Sequence, residues 1–169
     1  MSTRDDDAAL AERLKAHHAV MVDRLDHLSR DLAEAAAAGD DSAAASTALQ
    51  EWIADVLVPH AEEEETTTYR AAGELESGRL LIRAMLDEHV LIRGIAGEIA
   101  AASDPRAAGA YARALFAAFN SHQHKENEII LPLLVDSPDV SLVEAMGGGH
   151  ASGGHGHSHS HSHSHSHEP

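Results

Sequence analysis

The chain has 169 residues, no cysteine, one Trp, two Tyr, two Phe and a formal net charge of −16 at pH 7. This length is enough for one domain with a sizeable core. The missing cysteine excludes disulfides, thiolate zinc sites and cysteine-held iron–sulfur clusters. The negative charge argues against a nucleic acid or an anionic membrane surface as partner.

The N-terminal residues and the hydropathy pattern predict neither export nor insertion into a membrane. Residues 1–7 read Met-Ser-Thr-Arg-Asp-Asp-Asp and contain no apolar core of a signal peptide. No apolar run approaches the roughly 18 residues that cross a bilayer. We therefore expect a soluble, cytoplasmic protein without a membrane partner, and find no signal for its oligomeric state.

The first half of the chain predicts two helices. The first extends from Asp5 to Ala38, where Gly39 supplies a stop, and its apolar residues recur every three or four positions. The second extends over residues 42–72, and Pro59 should kink it just before His60. The residues expected to face inward are Leu14, His18, Met21, Leu25, Leu28 and Leu32 in the first helix, and Leu49, Trp52, Ile53, Val56 and Leu57 in the second.

The second half predicts two more long helices and a short one. Ser77 should cap a helix through Ala102, Asp104-Pro105 should start the next, and Ser137-Pro138 should start a short helix to Met146. The inward residues should be Leu81, Ile82, Met85, Leu86, Ile92, Ile95 and Ile99, then Tyr111, Leu115, Phe119, His122, Glu126, Ile129 and Leu133. Short connections make neighbouring helices antiparallel, so residues 1–146 predict an all-α, up-down-up-down four-helix bundle.

The composition changes after Met146. Residues 147–169 are mostly Gly, Ser and His, and they hold eight of the fifteen histidines. Such a segment buries no apolar surface, so we expect a disordered tail. Its imidazoles should bind Ni, Cu or Zn. The gradual rise in histidine density favours a native segment over a purification tag.

Two copies of one motif lie 62 residues apart, His60-x-x-x-Glu64 and His122-x-x-x-Glu126. A spacing of four places each His and its Glu on the same face of a helix. His18 and His89 each lie on the helix that precedes one copy. A buried carboxylate needs a partner, a proton or a metal. Paired imidazoles and carboxylates on facing helices therefore predict a site for two metal ions inside the bundle.

Several neighbouring residues offer alternatives to these ligands. His17 competes with His18, but the residues three, seven and ten positions after His18 are all apolar, which favours His18. His27 and His124 lie off the inward face. Glu62, Glu63 and Glu65 surround Glu64, and we expect most of this acidic run to be solvated. Tyr69 could line the site, but a core or rim position is the commoner outcome for a tyrosine at the end of a helix.

These residues together resemble the hemerythrin-like, or HHE cation-binding, domain over residues 10–135. The matching residues are His18, His60-x-x-x-Glu64, Glu88-His89, His122-x-x-x-Glu126 and Leu131-Pro132. The resemblance implies a four-helix bundle with a non-haem diiron centre. It also implies that His18, His60, His89 and His122 are terminal ligands, and that Glu64 and Glu126 bridge two Fe ions.

The chain departs from the oxygen-carrying members of this family at two positions. Arg93 stands where they have a second imidazole on the third helix, and Asn127 stands where they have an aspartate. We expect Arg93 to pair with a carboxylate of the site instead. More carboxylate and fewer imidazoles favour reaction over reversible release. The resemblance thus implies binding of, or reaction with, O2, NO or peroxide, with sensing, scavenging or catalase-like peroxide decomposition as possible roles. The alternative is an iron or transition-metal storage protein that uses its tail.

Overall fold

A computed structural model describes residues 4–147, and this part of the chain is helical without any strand, as the sequence predicts. The helices are α1 (Arg4–Ala38), α2 (Ala43–Trp52), α3 (Val58–Thr66), α4 (Thr68–Glu74), α5 (Arg79–Ala101), α6 (Pro105–Lys125), α7 (Leu131–Asp136) and α8 (Leu142–Gly147). Within residues 4–147, none of these helices is long and apolar enough to cross a membrane. The predicted metal-binding tail lies almost wholly outside the described residues.

Two of the predicted helix boundaries are confirmed. Gly39 adopts a φ of 77° and ends α1, because glycine alone enters this left-handed region without steric cost. Asp104 caps α6, since its side chain accepts a hydrogen bond from the Arg106 N–H at 3.0 Å, and Pro105 follows in the first turn. Gly39 thus marks the end of α1, and Asp104 marks the start of α6.

Two other predicted boundaries are wrong. Gly78, not Ser77, is the N-cap of α5. A Cβ at Gly78 would lie only 2.0 Å from the Ala72 carbonyl oxygen. Only glycine fits this close approach between α4 and α5, and α5 begins directly after it. The last helix starts at Leu142 rather than Ser137, because Ser137 is extended before Pro138.

The predicted kink at Pro59 takes the form of a π turn. The segment Ile53–Leu57 precedes α3, and the Val58 N–H bonds to the Ile53 carbonyl. A similar π turn, Glu126–Ile130, precedes Pro132, and there the Leu131 N–H bonds to the Glu126 carbonyl. In a regular helix a proline ring clashes with the carbonyl four residues earlier, and a widened turn relieves that clash. Each proline therefore passes through its helix without ending it.

The second π turn also explains a wrong prediction about the core. The extra residue rotates the helix face, so Ile130 is 1% exposed while Ile129, predicted to face inward, is 48% exposed. Tyr111 and Leu86, also predicted inward, are 38% and 39% exposed. At both places a neighbouring residue takes the buried position, Ala112 and Met85 respectively.

The predicted helix over residues 42–72 is also divided at Thr67. Thr67 leaves the helical region with φ −118° and ψ −90°, and α4 begins one residue later. Its hydroxyl donates to the Glu63 carbonyl at 2.6 Å, and the Thr68 hydroxyl donates to the Glu64 carbonyl at 3.5 Å. These hydroxyl bonds compete with the regular backbone ladder. The break lies between Glu64 and Tyr69 and so adjusts their relative positions.

The helices enclose two apolar clusters with a polar layer between them. α6 packs against both α1 and α5, and α2 packs against α1. One cluster includes Met21, Leu57, Ile92 and Phe119, and the other includes Ala11, Tyr69, Met85 and Ile130. The predicted ligands fall between these residues on every long helix.

A buried carboxylate near the start of the chain holds α8 in place. Asp7 of α1 is buried, and its Oδ1 accepts hydrogen bonds from the Val143 N–H at 2.8 Å and the Ser141 hydroxyl at 3.0 Å. The Val143 N–H belongs to the first turn of α8 and has no partner within the helix. Asp7 therefore links the two ends of the described chain.

Candidate metal centre

The polar layer brings all six predicted ligands together as two overlapping groups. Within each group, one donor atom per residue lies within 4.8 Å of the others. Position A is defined by His18, His60, Glu64 and Glu126, and position B by His89, His122, Glu64 and Glu126. The two carboxylates belong to both groups, which is the arrangement that carboxylate-bridged metal pairs require.

The imidazoles present their Nε2 atoms to the carboxylates. In position A, His60 Nε2 lies 3.0 Å and His18 Nε2 lies 3.6 Å from Glu64 Oε1. In position B, His89 Nε2 lies 3.5 Å from Glu64 Oε2, and His122 Nε2 lies 3.1 Å from Glu126 Oε1. The His60–Glu64 and His122–Glu126 contacts come from the two i,i+4 motifs. The sequence spacing predicted both contacts correctly.

The two central glutamates are buried and repel one another. Burial raises the pKa of the Glu64 carboxyl well above its usual value, and the charge of Glu126 raises it further. For Glu126 burial acts in the same direction, but hydrogen bonding from His122 and its charge hold the pKa below the usual value. The pair therefore carries about one proton when no cation is present. Bound cations would displace that proton.

The imidazoles of position A are held in the form that binds metal. Burial lowers the pKa of His18 and of His60 below 6.5, and it outweighs the opposing charge of Glu126. Both rings are therefore neutral at pH 7. Neutral imidazole is the ligand form, since a protonated ring has no free lone pair.

Tyr69 is part of the site, the less common of the two positions that the sequence left open for it. Its hydroxyl donates a hydrogen bond to Glu126 Oε1 and lies 3.0 Å from His122 Nε2. Its ring stacks on His89 with centroids 5.2 Å apart. Burial and the nearby carboxylates raise its pKa, so the phenol remains protonated. Gln123 also donates to Glu126, at 2.6 Å.

Three further residues hold the outer nitrogens of the imidazoles. Glu65 Oε1 lies 2.8 Å from His89 Nδ1, and Glu88 Oε2 lies 3.0 Å from His122 Nδ1. Asn127 Oδ1 lies 2.7 Å from His18 Nδ1. Such contacts orient a ligating ring and select its tautomer. Of the acidic run, Glu62 and Glu63 are exposed as predicted, whereas Glu65 faces α5 across the helix interface.

The cations near Glu65 and Glu88 keep both carboxylates ionised. Arg93 Nη1 donates to Glu65 Oε1 at 2.8 Å, and Lys125 Nζ donates to Glu88 Oε1. Partial burial raises the pKa of each carboxyl, but these hydrogen bonds and those from His89 and His122 hold it below its usual value. Arg93 therefore pairs with a carboxylate of the site, as predicted. That carboxylate is Glu65, which contacts the outer nitrogen of His89.

The structure also separates His18 from its alternatives. His18 is buried within position A, whereas His17 is exposed at the edge of the same region. His27 and His124 are exposed and belong to neither metal-ligand group. Among the acidic run, Glu62 is exposed, and Glu63 lines the cavity described next.

A cavity of about 60 Å³ opens beside position A. His18, His60, Glu64, Glu126 and Tyr69 line its inner end. The rest of the lining combines apolar and polar residues, namely Leu14, Ile130, Leu131 and Met146 with His17, Glu63, Thr67 and Thr68. A single water needs roughly 10–15 Å³ measured in this way, so the cavity has room for a small molecule of a few atoms.

The family comparison agrees with this site. The family model of the hemerythrin HHE cation-binding domain matches residues 9–134, so the chain belongs to this family. A comparison with curated proteins and one with solved structures found no match.

The residues present fit a bound cation. His60 Nε2 and Glu64 Oε2 are buried, face the cluster and have no hydrogen-bond partner among the described residues. Leaving such atoms unpaired costs about 1–3 kcal/mol each, and a cation would satisfy both. Imidazole and carboxylate donors without thiolate suit iron and similar divalent metals. The family and the cluster together indicate a metal-binding site.

Proposed function

We propose that this protein is a non-haem diiron protein that binds O2, NO or peroxide or reacts with one of them. One observation carries the proposal: Glu64 and Glu126 belong to both four-residue groups, so the two positions share their carboxylates. A single ion needs no second set of imidazoles. Four imidazoles around two shared carboxylates match the needs of two ions.

We also propose the up-down-up-down bundle over residues 1–146 as the frame of this site. The two apolar clusters support it, because successive long helical segments meet them in alternating order. Ala11 precedes Met21 in α1, and Met85 precedes Ile92 in α5. The order is reversed over residues 43–74, where Leu57 precedes Tyr69, and over residues 105–136, where Phe119 precedes Ile130. Alternating order is what antiparallel neighbours produce.

Two irons in these positions would supply Lewis acidity and redox chemistry to a ligand in the cavity. The residues of the chain contribute the surroundings. Leu14, Ile130, Leu131 and Met146 give the cavity an apolar side, and the protonated Tyr69 hydroxyl, which donates its hydrogen to Glu126, lies beside it. Four imidazoles and two carboxylates provide fewer neutral donors than an oxygen carrier has. We therefore favour reaction with O2, NO or peroxide over reversible oxygen carriage.

Iron loading tests the proposal. Metal-free protein is loaded with Fe(II) without oxygen, stripped of tail-bound metal with excess imidazole, and then exposed to air. We expect two irons per chain and an oxo-to-iron absorption band. Glu126→Gln should lower the iron content below two, whereas Glu128→Gln, at an exposed position two residues later, should leave it unchanged. One iron or none in the wild type would contradict the diiron proposal.

Addition of peroxide then separates an enzyme from a carrier or a store. Sustained peroxide consumption with oxygen evolution would identify catalase-like turnover. A spectrum that changes with oxygen and recovers on its removal would instead identify reversible binding. Neither response from a protein with two irons would favour storage.

A further inference from the structure

The two metal positions differ in the groups that contact the outer Nδ1 atoms of their imidazoles. In position B, both Nδ1 atoms contact carboxylates, from Glu65 to His89 and from Glu88 to His122. In position A, His18 Nδ1 contacts the neutral amide oxygen of Asn127. The inner ligand sets are otherwise alike, with two imidazoles and the same two carboxylates.

A carboxylate behind an imidazole changes the ring as a ligand. When Nδ1–H donates to a carboxylate, the negative charge increases electron density at Nε2 and makes it a stronger donor to a metal. A neutral amide oxygen holds the ring in place with less of this polarisation. Both rings of position B therefore gain donor strength, while His18 of position A does not.

The charges around these carboxylates oppose this difference. Arg93 and Lys125 donate hydrogen bonds to Glu65 and Glu88 and so reduce the negative charge beside the rings of position B. Glu63 lies near position A, where its negative charge acts on His60. Both effects favour position A, but Glu63 is exposed, where screening weakens its charge, and the two cations contact the carboxylates rather than the rings. The direct hydrogen bonds to the buried rings carry the effect.

We infer that Glu65 and Glu88 make position B the tighter of two unequal metal sites, so that it fills first and position A exchanges its metal. The inference rests on the proposed pair of metal sites. The enclosure of the two positions supports it. The imidazoles of position B are buried, and neither of them lines the cavity. Those of position A line the cavity, through which an ion can leave.

Anaerobic titration of the full-length, metal-free protein with Fe(II) in a calorimeter tests the inference. The wild type should show two tight steps of unequal affinity before the weaker binding by the tail. Glu88→Gln should weaken the tighter step by about 10-fold to 100-fold and leave the other step unchanged. His18→Ala should remove the weaker of the two. Tail binding is common to all these proteins and cancels in the comparison.

Three controls separate charge from structure. Glu62→Gln removes the same charge from an exposed residue of α3 and should change neither step. Lys125→Met removes the partner of Glu88 but keeps its carboxylate, and should not weaken the tighter step. The urea midpoint of metal-free Glu88→Gln should match that of the wild type, because the amide oxygen still accepts from His122.

The possible results are distinct. If Glu88→Gln binds like the wild type, the carboxylate only orients His122 and the inference is wrong. Equal weakening of both steps, or two ions that bind in one unresolved step, would also overturn it. Fewer than two ions bound by the wild type would instead overturn the diiron proposal.

Discussion

At the scale of single residues, His122 connects several groups of the metal centre. It is 1% exposed and contacts Glu88, Tyr69 and Glu126. His122→Ala should remove metal from position B and leave the Glu126 carboxylate without its imidazole partner. Breaking a buried ion pair in this way costs about 3 kcal/mol or more. Metal analysis and urea unfolding measure the two effects.

His124→Ala is the matched control for this substitution. His124 lies two residues away on the exposed face of α6, so both metal content and stability should remain as in the wild type. His60→Ala should behave like His122→Ala for metal. Two irons and an unchanged melting temperature in both ligand variants would show that the ligand assignment is wrong.

Tyr69 permits a substitution that removes one atom from the site. Tyr69→Phe keeps the buried ring and its stacking on His89 but loses the hydrogen bond to Glu126. We expect two irons to remain bound and peroxide consumption to slow by about 10-fold or more, because a proton donor near the ligand is missing. Rapid mixing with peroxide measures the rate. An unchanged rate would remove Tyr69 from any role in proton donation.

The sequence predicted the inner residues of the site and missed most of the outer ones. The i,i+4 spacing places His60 with Glu64 and His122 with Glu126 on one helix face, and the apolar periodicity turns His18 and His89 inward. The outer residues are each adjacent in sequence to a predicted ligand, and this adjacency was the one sequence feature that could have indicated them. They are Glu65, Glu88 and Asn127. Their contacts reach across helix interfaces, which depend on helix rotation that no spacing encodes.

At the scale of helices, close packing between α1 and α6 depends on one glycine. A Cβ at Gly109 would lie 2.9 Å from the Ala33 Cα, whereas a Cβ at Gly97 of α5 would meet nothing within 4 Å. Gly109→Ala should therefore force the helices apart and destabilise the fold by about 1–3 kcal/mol. Gly97→Ala should stabilise it by about 0.5–1 kcal/mol through helix propensity. Urea unfolding checks both signs, and destabilisation by both would contradict this explanation.

An ion pair joins the same two helices and should depend on pH. The hydrogen bond from Arg113 holds the pKa of Asp26 below its usual value of 3.8, at an Nη1–Oδ1 distance of 2.7 Å. A lowered pKa in the folded state contributes stability above the usual value, and that stability is lost as the pH falls through the lowered pKa. Asp26→Asn should therefore destabilise the protein at pH 7 and have no effect at the acid end.

Unfolding curves of Asp26→Asn at pH 7 and at the lowest pH where the wild type still folds would measure this difference. Asp31→Asn, at an exposed position on α1, is the control and should show little difference at either pH. An equal loss at both pH values would indicate a steric effect rather than a charge effect.

The helices also show where sequence patterns stop being informative. The stop at Gly39 and the cap at Asp104 use local chemistry, and both were predictable. The π turn Glu126–Ile130 adds one residue to a turn, so the periodic pattern that pointed to Ile129 failed beyond it. Periodicity assumes a constant helix geometry, and a widened turn violates that assumption.

At the scale of the whole molecule, the bundle and the histidine-rich tail should act as separate metal-binding units. Deleting residues 147–169 should abolish binding of Ni, Cu and Zn by the tail and leave the iron content and spectrum of the bundle intact. In the full chain, tail binding should fade as the pH falls through about 6.5, because protonated imidazole does not ligate. Calorimetry with Ni at several pH values measures this. Loss of iron from the shortened chain would mean that the tail supplies or holds that iron.

The hydrogen bonds of Asp7 have a practical consequence for shortened or fused versions of the chain. Asp7 lies in the first turn of α1, outside the matched domain at residues 9–134, yet it secures α8. Met146 of α8 forms part of the cavity wall. A version trimmed to the domain boundaries would lose both the carboxylate and the helix that it anchors. The cavity beside the metal centre would then lose part of its wall and open further to solvent. Residues outside the family domain therefore determine how closed that cavity is.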